Sequence, residues 1–545
     1  MNTMTNKSML SRMSKMIPGK ADITKILLAV VFLSMVFLPL LTMFSNIDGD
    51  SIRKVVGSSK FFEAIFNSLS STTLSTVITI VLAYVLAVSI ERVDIRLKNV
   101  FSIIFVLPML IPSISHGMGL TILFGNNGIL TKLLNLQTNI YGIQGIVIGS
   151  VLYAFPVAFL MISDVLKYED YSPYEAAEIL GLSRFHKFKA ITLPYFRKPL
   201  ISVVFSIFTL IFTDYGVPLM VGGKFVTLPV VMYQEVIGQL DFGKGSVYGA
   251  VLLIPAVIAF IIDMFNKDKG NLAFVIKPHP KSKDLGKKIM AYGACAVATV
   301  YVLMPILSFI FLAFSKKYPN DLTFTFDNFL KAEKLRAVEY LANSLVIALF
   351  VAAIGVGVAF MTAYLSARMK SKVSRFLHLS SITSAAIPGV VLGLSYVLAF
   401  KGMPIYGTLA ILIMVNMVHF IASPYLMIYN SLSKINDNIE DIAHTMGIYR
   451  HQIIRDVFIP QCKGTIVEMF SYFFVNCMIT ISAVSFLSTT ANKPISLMIN
   501  QFEAQAQLEC AAVVSLIILA SNLLVKAVAH ALKNTDKIKK GTTHE

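Results

Sequence analysis

Five side chains of this chain are chemically conspicuous because of where they sit. His116, Asp214, Asn416, His419 and Asn476 each fall within or beside long apolar stretches. A polar or ionisable group held there costs free energy, and it marks either a solute path or an interhelical hydrogen bond. Ser115-His116-Gly117 is where a small polar solute would be held in the third such stretch. Bond-making chemistry is not indicated. His116 and His419 lack an HExxH-type ligand spacing, and no serine or cysteine nucleophile has a legible partner. Cys295, Cys462, Cys477 and Cys510 form no CxxC, which makes them small buried hydrophobes. Gly238-x4-Gly243-Lys244 approaches a phosphate loop, but Gly245 stands where a magnesium-binding Ser or Thr is required. No catalytic residue, metal site or cofactor is expected.

A second group is informative through its spacing. One polar segment reads Tyr171-Ser172-Pro173-Tyr174-Glu175-Ala176-Ala177-Glu178-Ile179-Leu180-Gly181, followed by Ile191-Thr192-Leu193-Pro194. Ser172 is placed to cap a helix, Pro173 suits its first position, and Glu175 would close a capping box. Gly181 supplies the left-handed residue that ends such a helix. A two-turn helix does not hold itself in water, so another surface should dock on it, and Ala176 and Ala177 permit close approach. The segment recurs 266 residues later. Asn438 replaces Ser172 as cap, Asp441 replaces Glu175, and Ile442 stands for Ala176. Ala443, Gly447 and Ile459-Pro460 match Ala177, Gly181 and Leu193-Pro194. This chemistry is docking.

The elements that must position these groups follow from composition. Of 545 residues, 56% are hydrophobic and 14% charged, against the roughly 25% charged of a soluble domain. The apolar residues come in blocks of about 20, the length that crosses ~30 Å of hydrocarbon. Twelve spans are expected, at about 26–44, 65–90, 100–124, 143–162, 199–221, 246–262, 289–314, 341–366, 376–400, 408–428, 465–487 and 510–528. A net charge of +17 invites a nucleic-acid reading, but the basic residues follow the membrane. With the N-terminus on the cytoplasmic side, 33 of the 47 Lys and Arg fall on that side and 13 on the other. This positive-inside bias places both termini in the cytoplasm. No small-residue cleavage site follows Phe44, so the first helix, preceded by Lys7, Arg12, Lys15, Lys20 and Lys25, is expected to be retained.

The chain is also a tandem repeat. Leu160-Met161-Ile162 returns as Leu426-Met427-Ile428, Asn67-Ser68-Leu69 as Asn343-Ser344-Leu345, and Ile111-Pro112 as Ile387-Pro388. Agreement in order along several spans carries more weight than any one tripeptide. An even number of spans per repeat makes the halves parallel, related by an axis along the membrane normal. The fold class is therefore all-α and polytopic. The expected divisions are 1–262, a basic cytoplasmic linker at 263–288, and 289–545, with the docking loops at 163–198 and 429–464.

Glu175-Ala176-Ala177, Gly181 and Ile191-x-Leu193-Pro194 resemble the EAA loop of binding-protein-dependent ABC importer permeases, and the likeness extends over nearly the whole chain as two fused permease domains. The resemblance implies the type I importer permease fold in a bacterial cytoplasmic membrane. It implies ATPase coupling through Glu175, Ala176, Ala177, Gly181, Leu193 and Pro194, and through Asp441, Ala443, Gly447, Ile459 and Pro460. It also implies two copies of a separate ABC ATPase, an external solute-binding protein and a small polar substrate. Thr213-Asp214-Tyr215-Gly216-Val217-Pro218 and Ile387-Pro388-Gly389-Val390-Val391 are similar to the 2-aminoethylphosphonate and ferric iron members, which implies 2-aminoethylphosphonate as the first expectation for the cargo and ferric iron as the second. The alternative is a secondary transporter driven by an ion gradient, which needs no repeated docking helix. Tags within 263–288 or at the C-terminus should be accessible only from the cytoplasm, and one near Asp321 only from outside; an externally labelled linker would break the parallel arrangement.

Overall fold

The computed structural model describes residues 20–137, 139–266, 277–436 and 438–541; Lys7, Arg12 and Lys15 lie outside them. Eight described helices are long and apolar enough to cross a membrane, and three further pairs qualify together but are bent. The eleventh expected span is a 17-residue helix, Lys463–Ile479. Apart from a small hairpin, Ser315–Lys317 with Asp321–Phe324, the described chain is helical.

The second spans of the two halves, Ser59–Glu91 and Ala337–Arg368, are unbroken helices of 33 and 32 residues. Their N-terminal parts are tied to equivalent loops. Asn67 donates to the Val226 carbonyl and Ser68 accepts from the Leu228 N–H, while Asn343 and Ser344 do the same for Ala491 and Ile495.

The third span is broken in both halves, by 102° at Ile111-Pro112 and by 112° at Ile387-Pro388. A proline disfavours helical geometry in the residue before it, and Ile111 and Ile387 are accordingly extended. Such a break leaves backbone carbonyls without helical partners, tolerated in a membrane only where protein or a cavity receives them. Side chains receive them in the first half: His116 bonds the Pro108 carbonyl and Asn522, from the last span, bonds that of Leu110.

The fifth spans differ from the sequence expectation in both register and length. The first extends over Phe185–Phe212 and not 199–221, and the second stops at Ile479 and not at 487. Each passes through a π-turn, Phe188–Thr192 and Ile454–Phe458, immediately before its proline dipeptide. The proline has no N–H and its ring crowds the carbonyl four residues back, so the helix widens there and continues upstream. The early stop at Phe212 comes from Asp214, whose carboxylate accepts the N–H groups of Gly216 and Val217 and starts a new short helix, Gly216–Val221.

The first spans are exchanged. Lys20–Phe32 and Leu38–Ser45 pack on the broken third span of the second half, with the Tyr396 hydroxyl donating to the Met35 carbonyl. Leu285–Ala313, the first span of the second half, packs on the broken span and second span of the first. Each half thus closes with a helix from the other.

Where each broken span meets the end of its fifth span, a glycine and a serine oppose each other, with the roles reversed between halves. A Cβ on Gly216 would lie 2.4 Å from Ser113 Oγ and 2.8 Å from the Ile114 nitrogen. A Cβ on Gly389 would lie 2.1 Å from Ser482 Oγ and 2.9 Å from its Cβ. A hydroxyl can rotate away, but the backbone and Cβ cannot. Gly216→Ala and Gly389→Ala should each destabilise the fold by about 1–3 kcal/mol, read as a lowered Tm in detergent. Gly389→Ser combined with Ser482→Gly, which copies the arrangement of the other half, should recover most of that loss.

Candidate functional site

Between the two breaks lies a cavity of about 360 Å³. Ser113 and Asp214 come from the first half, Pro388, Gly389, His419 and Asn476 from the second. The remaining polar lining is mostly hydroxyl, including Ser206, Thr209, Tyr153 and Tyr472. Its ionisable groups other than tyrosine are Asp214, Asp263 and His419, with no Lys or Arg in the lining. The Asp214 carboxylate is partly engaged by the helix it starts, and Asn476 donates to the Tyr472 carbonyl. The halves also touch at this cavity through a pseudo-symmetric pair, the Tyr215 hydroxyl donating to the Ile481 carbonyl at 3.4 Å. Among the described residues no three His, Cys, Asp or Glu are grouped to hold a metal.

Far from the cavity, the predicted loop helices form at Ser172–Ile179 and Ile439–Thr445. Gly181 and Gly447 are left-handed, with φ of +67° and +72°, and both ends close as Schellman turns. Leu182 N–H reaches the Ala177 carbonyl and Ile448 N–H that of Ala443. Ala177 and Ala443 are buried, whereas Glu175 is half-buried and Ala176, Leu193, Pro194, Asp441, Ile459 and Pro460 are exposed.

The capping box does not form. Ser172 is already helical, and its N–H and hydroxyl both go to Asp170, two residues earlier than the expected cap. Asn436, 266 residues on, likewise accepts from the Asn438 N–H, and the Asn438 side chain makes no cap bond. Asp170 wins because it reaches two N–H groups, those of Ser172 and Lys277. Its carboxyl is held below the usual range chiefly by the Ser172 N–H. Glu175, freed from the cap, pairs with Lys277.

Lys277 belongs to the linker, which straps the first loop helix. Its carbonyl accepts the Tyr171 N–H at 2.9 Å, and the His279 ring meets Tyr171 and Tyr174 edge-on. Further along, Ser282 bonds the backbone of both Arg92 and Asp94. Sequence spacing gave no sign of this strap. Behind it Arg92 pairs with Glu169, whose other oxygen accepts the Tyr174 hydroxyl at 2.6 Å. In the second half Arg368 donates to Glu440 at 2.8 Å and to the Ile435 carbonyl.

Of the five intramembrane polar residues, the structure brings Asp214, His419 and Asn476 to the cavity. His116 and Asn416 are buried outside its lining. Residues missed by sequence reasoning are Arg92 and Arg368, although their separation of 276 matches that of Asn67 and Asn343.

Residues 79–267 and 355–534 each match the model of the binding-protein-dependent transport system inner membrane component. The chain belongs to that family. Similar proteins include a ferric transport system permease, FbpB, of Actinobacillus pleuropneumoniae, 25% identical over 87% of this permease and 73% of the relative. A second ferric permease, FbpB 2 of Haemophilus influenzae, is 22% identical over 75% and 78%. The thiamine permease ThiP of Haemophilus influenzae is 26% identical over 56% of each chain. The permease is thus a two-domain, multi-pass membrane protein of the importer type.

The strap carries a pH sensitivity. Burial first, then the charge of Arg92, holds the His279 imidazole below its ordinary range, while Glu169 pulls the other way. A histidine whose folded value is lowered stabilises above its unfolded value of about 6.5, and that contribution is lost as pH falls through the lowered one. Hydrogen exchange at residues 171–174, corrected for intrinsic rates, should accelerate on acidification through that window. His279→Phe, which keeps a ring against the tyrosines, should remove the dependence; an unchanged profile would assign it elsewhere.

Proposed function

We propose that this permease is the membrane-spanning subunit of an ATP-driven ABC importer, receiving its cargo from an external solute-binding protein and releasing it into the cytoplasm. Residues 1–262 and 289–545 form its two domains, joined by the cytoplasmic linker 263–288, with both termini cytoplasmic. Two copies of a separate ATPase dock on the helices Ser172–Ile179 and Ile439–Thr445. Glu175, Ala176, Ala177, Gly181, Leu193 and Pro194 form the first seat, and Asp441, Ala443, Gly447, Ile459 and Pro460 the second.

The observation that carries this reading is apolar exposure at both helices. Ile179 and Leu180 are 88% and 75% exposed, and Met446 and Tyr449 are 69% and 70%. Large apolar side chains gathered on short helices outside the lipid mark a docking surface. ATP hydrolysis then belongs to the docked polypeptide. The residue nearest to a phosphate-loop lysine, Lys244, is paired with Glu235 and Asp241.

The path is the cavity between the breaks, and Asp214, His419 and Asn476 face the cargo. Asp214, in a lining without Lys or Arg, favours a cation over an anion, because charge is felt strongly at low dielectric. Ferric ion and thiamine, the cargoes in the relatives' names, are both cations. Ferric iron is therefore the preferred cargo, ahead of 2-aminoethylphosphonate, whose phosphonate would face the Asp214 carboxylate.

Purified alone, the permease should hydrolyse no ATP. Proteoliposomes containing it, its ATPase and its binding protein should take up ferric iron with ATP, and 2-aminoethylphosphonate should not compete. Asp214→Asn should lower uptake at least tenfold. Uptake that survives ATP depletion but collapses with the proton or sodium gradient would move the chain to secondary transport.

A further inference from the structure

We infer that Arg92 and Arg368 are positioning residues that lock each second span to its coupling helix, so that movement of the docked ATPase is transmitted along that span. The inference rests on the functional reading above and adds the route by which force enters the membrane.

The two arginines terminate equivalent helices, Arg92 one residue after Ser59–Glu91 and Arg368 as the last residue of Ala337–Arg368. Each gathers the same three other elements by different contacts. In the first half, Arg92 pairs with Glu169 at the end of the fourth span, and Glu169 accepts from Tyr174 of the coupling helix. Tyr174 in turn contacts Thr192 Oγ1 at 2.8 Å, at the entry to the fifth span. In the second half, Arg368 bonds Glu440 of the coupling helix and the carbonyls of Ile435 and Asn436 after the fourth span. It also lies over the ring of Phe458, at the entry to the fifth. Thr192 and Phe458 are themselves equivalent positions.

The acid has moved five residues between the copies, from the equivalent of Ile435 to that of Tyr174, yet the assembly is retained. Both pairs are shielded. The Arg368 side chain is 2% exposed and that of Glu169 5%, and a buried charge left without its partner is strongly destabilising. A planar guanidinium with several donors suits such a junction better than an ammonium. From this junction the second span continues unbroken to Asn67 or Asn343, which hold the outer loops that follow the fifth span. Those loops follow in sequence the segments around Asp214 and Ser482 that line the cavity, so one unbroken helix joins the coupling surface to the chain leading out of that lining.

The test uses the full complex of permease, ATPase and binding protein in proteoliposomes, with iron taken up per ATP hydrolysed as readout. Arg92→Ala and Arg368→Ala should retain the ATPase and its hydrolysis but lower that ratio at least tenfold. Arg92→Lys and Arg368→Lys should fall between, and they decide the matter if an alanine variant yields no folded protein. Arg368→Glu with Glu440→Arg should recover part of the ratio lost in Arg368→Glu. A ratio within twofold of wild type in the lysine and alanine variants would overturn the inference. So would loss of the ATPase from the complex, which would assign the arginines to docking. Wild-type uptake indifferent to ATP would instead overturn the functional reading beneath it.

Discussion

Backbone carbonyls freed inside hydrocarbon have no water to turn to, and this permease frees them deliberately in both halves. Pro112 and Pro388 each force an extended residue into a membrane span. Much of the interior architecture answers that constraint. His116 and Asn522 receive carbonyls at the first break. The exchanged first spans cover the broken helices from outside, where Gly119 lets Pro305 approach so closely that a Cβ would sit 2.7 Å away. What remains open between the breaks is the polar cavity, the one setting at membrane depth where non-helical backbone is tolerated without protein against it.

Much of this was legible in the sequence. The block length of the apolar stretches gave the spans, the recurring tripeptides gave the two halves, and Gly181 and Gly447 read correctly as left-handed helix ends. The helix starts were misread because Asp170 and Ser172 are both good caps. Choosing between them requires knowing that Lys277, a hundred residues away, brings a second N–H to Asp170. The fifth spans were placed too late because an apolar count passes over Asp214 without seeing that its carboxylate opens a new helix. The exchange of first spans leaves no local periodicity at all.

The arginines were missed for a reason particular to duplicated chains. Arg92 and Arg368 align in the 276 register, whereas the loops align in the 266 register, and the acids Glu169 and Glu440 align in neither. Gly216 with Ser113 and Ser482 with Gly389 show the same behaviour, the contact being kept while the residues trade places. Packing constrains the pair and not the position, since a buried contact needs one small partner and a buried cation needs one acid. Repeat comparison by position therefore finds spans and turns, whose causes are local, and passes over the contacts that join them.

Continuity of the second spans then acquires meaning against the broken helices around them. At 1.5 Å per residue, a helix of 33 residues is about 50 Å long, enough to cross the hydrocarbon and reach into the aqueous phase at both faces. Neither second span contains a proline, whereas the third and fifth spans bend, widen or stop. A body made only of bent helices would absorb a displacement at one membrane face within the nearest break. An unbroken helix anchored at one end by a buried ion pair and at the other by paired side-chain-to-backbone bonds would convey it to the far side. The first half adds the linker strap over Glu175 and Tyr171, while the second places the acid in the loop helix itself. Two routes to the same rigidity, in two halves that diverged in sequence, indicate that stiffness at this junction is what the contacts maintain.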